Sequence, residues 1–280
     1  MKKLEITKTK VFIGLFILLV IGFIGFFYYR ENNFSNEILT LNISGPETAV
    51  MGKDVVYTVH YKNNGNFALE NPKITFQLPE NSLTEDNRLL IIQTLDDVAP
   101  GQESSATFTA KLVGQEGDLK VAGAWFSYTP HNLTVRYESN VTFTTKIDIV
   151  PITLTYDTSS GFERGKEVTY AINYASDVDY PLENLSIRID PVNGFSVTKG
   201  QPTSLDNVEW KINTLKKGQG GKILITGIVA GDAPDTMTFS AKLGLRQAGN
   251  FIVIRELKQD VQVTGDIIQS PSPSPSPTHN

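Results

Sequence analysis

Hydrophobic positions along the 280-residue chain follow two patterns. The first is one uncharged apolar run, Val11 to Tyr29, VFIGLFILLVIGFIGFFYY, with no polar face. At about 1.5 Å per residue it makes a helix of about 28 Å, close to the hydrocarbon thickness of a bilayer. The pattern predicts a transmembrane helix over 11–29. Gly14, Gly22 and Gly25 are at home in a membrane helix, and Tyr28 and Tyr29 suit the headgroup layer. Lys2, Lys3, Lys8 and Lys10 precede the run and only Arg30 follows it closely, which predicts a cytoplasmic tail over 1–10 and everything beyond Arg30 outside. A cleaved secretory signal would give the same orientation. Against it stand the length of the apolar core and the ending FFYYREN, which lacks a small-x-small cleavage site. Gly22 and Gly25 are three apart and no GxxxG occurs in the run, so helix pairing has little support in the sequence.

The second pattern fills the rest. After a polar linker, 30–37, short alternating runs are broken by Gly, Pro, Asn and Asp, which predicts an all-β chain. In DVVYTVHYKN, Val55, Tyr57, Val59 and Tyr61 fall on one face and Val56, Thr58, His60 and Lys62 on the other. Asn63-Asn64-Gly65-Asn66 then reads as a tight reversal with residues that tolerate positive φ. KITFQLP points Ile74, Phe76 and Leu78 inward. LLIIQT, Leu89 to Thr94, is apolar enough to predict burial on both sides. After the turn Val98-Ala99-Pro100-Gly101 comes SATFTAKLV, with Ala106, Phe108, Ala110 and Leu112 alternating, and two more strands follow near 119–128 and 137–149. About seven short strands in about 110 residues is the pattern of an immunoglobulin-like sandwich.

The plan then repeats about 113 residues on. Gly52-Lys53 before DVVYTVHY matches Gly165-Lys166 before EVTYAINY, and NPKITFQLP matches NLSIRIDP at Asn184 to Pro191. LDDVAPGQESSATFTAKLV has its counterpart in LKKGQGGKILITGIV, Leu215 to Val229. The fold expectation is two tandem immunoglobulin-like β-sandwiches, 38–149 and 150–266, after the single N-terminal helix. Val150-Pro151 joins them with almost no spacer, which favours a semi-rigid pair.

The combination GKDVVYTVHYKNNGN, PKITFQLP and LDDVAPGQESSATFTAKL resembles the immunoglobulin-like repeat domain of bacterial and archaeal surface proteins, related to the cell-adhesion-related domain found in bacteria. Trp210-Lys211-Ile212 and Leu215 to Gly218 fit the same pattern in the second copy. Ala175 to Asn184 departs from it, because the Asn-Gly signal is missing there. The resemblance implies envelope display and a structural or binding role, and it carries no catalytic residue across.

Composition bounds the chemistry. With no cysteine, the exterior domains rest on hydrophobic cores alone and a thiol nucleophile is excluded. The formal charge of −5 divides into +3 before residue 32 and −8 after it, which argues against nucleic acid or anionic lipid as the main exterior partner. His60, on an outward strand face, His131, in a loop, and His279, near the C-terminus, are too scattered for a shared metal site. No Gly-x-Ser-x-Gly elbow occurs, and Lys216 to Lys222, KKGQGGK, lacks a P-loop ending and leads into a strand, so it reads as a hairpin or connecting loop. Asp148, Asp157, Asp177 and Asp179 lie near the joint or in the aberrant loop without the dense spacing of a calcium site. Trp125, Phe126 and Tyr128 read as core, with a sugar-stacking face as the alternative. Asn42, Asn132, Asn140 and Asn184 each begin an Asn-x-Ser/Thr sequon of the kind that arises by chance in Ser/Thr-rich strands. The Pro/Ser tail, 267–280, ends in SPSPSPSPTHN, which predicts a solvated extended segment.

No catalytic, cofactor-binding or metal-ligating residue is therefore predicted, and no enzyme. The expected protein is a single-pass envelope protein of the surface-stalk or adhesion type. Its expected partners are the lipid bilayer, through the helix, and an envelope protein or glycan. An accessory subunit of a membrane secretion or envelope-assembly complex is the alternative, and a hydrolase of envelope polymers a distant third.

Overall fold

The computed structural model describes residues 18–23, 38–84, 88–159, 161–247 and 249–266. The predicted tail 1–10, linker 30–37 and Pro/Ser tail 267–280 lie outside the described residues, as does the predicted transmembrane helix apart from 18–23, which are helical and exposed. Among the described residues no helix is long and apolar enough to cross a membrane.

From Leu39 onward the described chain is all-β. The first eight strands are β1 (Leu39–Ser44), β2 (Thr48–Val50), β3 (Asp54–Asn63), β4 (Leu69–Gln77), β5 (Leu90–Thr94), β6 (Glu103–Lys111), β7 (Leu119–Pro130) and β8 (Tyr137–Ile149). They form a three-stranded sheet, β1-β3-β6, and a five-stranded sheet, β2-β8-β7-β4-β5. Alternation decides which faces meet: Val55, Tyr57, Val59 and Tyr61 of β3 are buried, as are Ile74 and Phe76 of β4. The sheets are joined by rings. Phe108 of β6 stacks on Phe76 with centroids 4.2 Å apart and planes 2° from parallel, and Tyr61 meets Phe126 of β7 at 5.0 Å.

The remaining strands are β9 (Ile152–Asp157), β10 (Gly161–Glu163), β11 (Glu167–Ser176), β12 (Leu182–Ile189), β13 (Phe195–Gln201), β14 (Glu209–Leu215), β15 (Gln219–Val229), β16 (Thr236–Gln247) and β17 (Asn250–Thr264). Their sheets run β13-β15-β11-β9 and β10-β17-β16-β12-β14. Apart from the extra edge strand β13, this order follows that of the first two sheets strand for strand. The turns agree as well. Gly52 and Gly165 have φ of 79° and 72°, and their amides donate to Leu112 O (3.0 Å) and Val229 O (2.9 Å). Asn71 and Asn184, also 113 apart, both adopt positive φ, at 48° and 55°.

Two sequence expectations fail here. The Asn63–Asn66 reversal is no hairpin, because β3 and β4 belong to different sheets, and none of these four residues is among those with positive φ. The crossover is held by a side chain. Asn63 is fully buried; its Nδ2 donates to Phe67 O (2.8 Å) and Val98 O (2.9 Å), and its Oδ1 accepts from Gly65 N (2.9 Å). Ser176 takes the same place in the second set and caps Val178 N at 3.2 Å, which is how that crossover forms without an Asn-Gly signal. The second failure is β5. It pairs with β4 alone at the edge of its sheet, and its even-numbered side chains stand on the sheet's outer, solvent-facing side: Leu90 is 51% exposed and Ile92 63%.

The two pairs of sheets meet closely. Ile152 N donates to Val150 O (2.8 Å) and Asp177 N to Pro151 O (2.9 Å) around the proline joint. Val178, 1% exposed, packs on Gly52, Arg255 pairs with Glu116 at 3.3 Å, and Lys111 lies over the Tyr180 ring at 5.4 Å.

Candidate binding surface

The outer face of the five-stranded sheet β2-β8-β7-β4-β5 differs from the rest of the surface. Strand register puts Thr75 between Ile92 and Trp125, with Asn140 beyond, and puts Gln77 between Leu90 and Gly123, with Thr142 beyond. This inner lattice carries no charge. Trp125 is half-buried because its six-membered ring lies over Gly123, where a Cβ would come within 2.9 Å of Cη2. Glycine at 123 is thus what lets the indole lie down on the sheet. Leu119 and Val121 of β7, 67% and 51% exposed, continue the apolar strip. A shallow groove of about 350 Å³ is lined by Gln77, Val121, Gly123, Trp125 and Thr142 together with Glu80 and the largely buried Lys120.

The corresponding face of the second set is an ionic lattice. Arg188, 113 positions after Thr75, lies opposite Glu209 on one side and Lys242 on the other. Glu209, only 4% exposed, pairs with Arg246 at 2.7 Å and Arg188 at 3.5 Å. Burial pushes its carboxyl up, but hydrogen bonds from Arg246 and Ser186 and the two arginine charges outweigh this and hold it below the usual carboxylate range. Lys242 pairs with Asp190 at 2.7 Å, and the Arg188 and Arg246 guanidiniums lie over the Phe251 ring at 5.2 and 5.9 Å. Every charge in this lattice has a partner within the chain.

The residues singled out in the sequence are dispersed. His60 bonds to Ser44 at 3.0 Å on the three-stranded sheet, and His131 pairs with Glu70 at the end of β7; His279 lies outside the described residues. Asp148 faces Lys146 at 3.8 Å, Asp157 faces Lys222 at 2.9 Å and Asp179 pairs with Lys217. Asp177 donates its amide to Pro151 at the joint. Among the described residues no three His, Cys, Asp or Glu gather as metal ligands. Lys216–Gly218 is the connection between β14 and β15, which lie in different sheets; Gly218 N donates to Ser176 O at 2.7 Å. Phe126 and Tyr128 are core, both fully buried, and only Trp125 of that trio faces outward. Alternation in β7 is the signal that separates them. What sequence reasoning missed is β5, whose exposed Leu90 and Ile92 complete the face.

No family model and no curated protein matches this sequence. Among solved structures, the chain is similar to red sea bream transglutaminase, with 10% identity over 81% of this chain and 31% of that one, TM-score 0.39. It is also similar to the CARDB domain of the PF1109 protein of Pyrococcus furiosus, solved in complex with di-metal ions, with 21% identity over 39% of this chain and 86% of that domain, TM-score 0.29. A third likeness is to Escherichia coli alpha-2-macroglobulin, 9% identical over 81% of this chain and 22% of that one, TM-score 0.30. The chain therefore spans under a third of the transglutaminase and about a fifth of the macroglobulin. TM-scores this low carry no argument about function.

Proposed function

We propose that this chain is a membrane-anchored, extracytoplasmic binding and scaffolding protein of the cell envelope. Residues 11–29 anchor it in the bilayer with the N-terminus inside. Residues 38–149 and 150–266 are two tandem copies of an immunoglobulin-like module of the cell-adhesion-related kind, with the Pro/Ser tail beyond them. The matched strand orders, the equivalent glycines at 52 and 165 and the paired asparagines at 71 and 184 support the tandem reading. Its work is display, with no covalent step.

One observation carries the binding assignment: the centre of the first module's outer sheet face, Thr75 and Gln77 with Leu90, Ile92 and Trp125, carries no charge, whereas the equivalent positions of the second module form an ionic lattice. Desolvating Trp125, Leu90, Ile92 and Val121 is favourable, whereas covering Arg188, Glu209 and Lys242 requires stripping water from charges already satisfied. The partner, an envelope protein or glycan, therefore seats on the first module.

The test places a photo-crosslinking residue at Thr75 or at Arg188 of the full-length protein in intact cells. A defined adduct from position 75, lost with Trp125→Ala and absent from position 188, is the expected result. Equal capture at both positions overturns the assignment. Extraction of the membranes with alkaline carbonate tests the anchor separately: the chain should stay in the pellet, and its release overturns membrane insertion.

A further inference from the structure

We propose that a cleft in the second module, walled by Tyr170, Phe195 and Phe239, binds one neutral aromatic ring bearing an oxygen acceptor, a ligand of the phenol class. This goes beyond the display function, which seats its partner on the first module, and does not depend on it.

The shared strand plan lets one module show what the other lacks. Register sets Tyr57 opposite Phe108 in the first module and Tyr170 opposite Ile225 in the second. Phe76 on β4 and Ile189 on β12 correspond in the same way, 113 residues apart. Where the first module stacks Phe76 on Phe108, the second therefore holds two isoleucines. Phe239 and Phe195, the latter on the extra strand β13, refill only part of that space. Their rings meet nearly edge to face at 5.2 Å, and Phe239 meets Tyr170 in the same manner at 5.2 Å. What remains is a cleft of about 190 Å³, lined by these three rings with Ile189, Val192 and Asp190 among its other walls. An apolar cavity of about 150 Å³ is enough for benzene. This cleft thus takes one six-membered ring with a small substituent, and its mixed edges and faces suit an aromatic one.

The polar end of the ligand follows from the same comparison. Tyr57 donates its hydroxyl to Thr145 Oγ1 at 3.1 Å, whereas the hydroxyl of Tyr170, a residue only 3% exposed, has no hydrogen-bond partner among the described residues. Burial pushes the Tyr170 pKa above the ordinary tyrosine value, so the group stays protonated and can donate. A buried donor without an acceptor is costly, and an oxygen on the ligand removes that cost. Asp190 is the one charged residue lining the cleft, and it is already paired with Lys242 at 2.7 Å. A carboxylate ligand would meet this like charge and a cation would find its partner taken, which leaves a neutral oxygen such as that of a phenol.

Isothermal titration of the full-length chain in detergent with p-cresol tests this, with Ile189→Phe in the same detergent as the blank for partition into micelles. Saturable binding at one site per chain is expected. Ile189→Phe, which restores the ring found at this place in the first module, should abolish it while the variant unfolds at no lower temperature than the parent. Tyr170→Phe should weaken p-cresol by about fivefold to tenfold and leave toluene, which has no acceptor, unchanged. N-acetyltyrosinamide distinguishes the source of the ring: affinity comparable to that of p-cresol assigns it to a tyrosine side chain of a partner polypeptide, and exclusion of the larger compound assigns it to a free small molecule. The absence of saturable p-cresol binding overturns the proposal. So does binding that survives Ile189→Phe, which places it elsewhere, and so does an affinity for p-cresol that Tyr170→Phe leaves unchanged.

Discussion

Val178, in the crossover between β11 and β12, packs directly on the bare backbone of Gly52, ahead of β3 in the other module. A Cβ at position 52 would approach Val178 Cγ1 more closely than real Cβ atoms come to any neighbour, and φ at Gly52 is 79°. One glycine thus serves two purposes, a left-handed turn and a flush contact across the joint.

Gly52→Ala therefore meets both strain and collision. Gly101→Ala, at φ 75° with nothing within 4 Å of the added methyl, meets strain alone. Gly101→Ala should cost about 1 kcal/mol and Gly52→Ala about 2–4 kcal/mol. Chemical denaturation of both variants measures this, and Val178→Ala in the Gly52→Ala background should restore part of the difference. Equal costs at the two glycines would show that the joint is not closely packed.

Asn63 holds its crossover by three hydrogen bonds from a buried side chain, whereas Ser176 makes one. Asn63→Ala leaves Phe67 O, Val98 O and Gly65 N without that partner and should destabilise by about 3 kcal/mol; Ser176→Ala should cost about 1 kcal/mol. Urea melts of the two variants give the comparison.

Buried tyrosines differ in how well their hydroxyls are satisfied. Tyr57 donates to Thr145 Oγ1 at 3.1 Å, and Thr145 in turn donates to Pro46 O at 2.9 Å. The Tyr128 hydroxyl has no hydrogen-bond partner among the described residues, and burial, then the neighbouring Tyr137, pushes its pKa up to about 12. Tyr57→Phe should cost about 1 kcal/mol, and Tyr128→Phe should be neutral or slightly stabilising. A larger loss at Tyr128 in thermal melts would contradict this.

Acid should loosen the second module's ionic lattice. The carboxyl of Glu209 is lower in the folded chain than in the unfolded one, so its contribution is complete above the unfolded value, near pH 4.3. That contribution is lost as pH falls through the lower folded value. Denaturation at pH 7 should show Glu209→Gln to be less stable than the parent, and the gap should narrow steadily below about pH 4. A gap independent of pH would mean that the arginine pairs contribute nothing.

Much of the fold is legible in the chain because alternation is a local property. The inward set Val55, Tyr57, Val59 and Tyr61, the inward Ile74 and Phe76, and the repeated glycine before β3 and β11 each follow from neighbours in sequence. Only part of the candidate surface is legible in the same way. Alternation in β7 sends Trp125 opposite to Phe126, but whether that outer face is covered depends on what packs there. β5 shows the limit most clearly. LLIIQT carries the composition of a strand buried on both faces, and composition cannot report that Leu90 and Ile92 stand on a face left open to solvent.

The sequence by itself determined the all-β character, the inward positions of the long strands and the recurrence of one turn pattern after 113 residues, because periodicity and backbone permissiveness act over a few residues. The tertiary structure alone decided that β3 and β4 part into different sheets, that Asn63 and Ser176 hold the two crossovers, and that Gly52 meets Val178. It also decided that Leu90 and Ile92 stand at an open edge. Those outcomes depend on strand order and on contacts between residues far apart in the chain, and no local pattern encodes which strand comes last in a sheet.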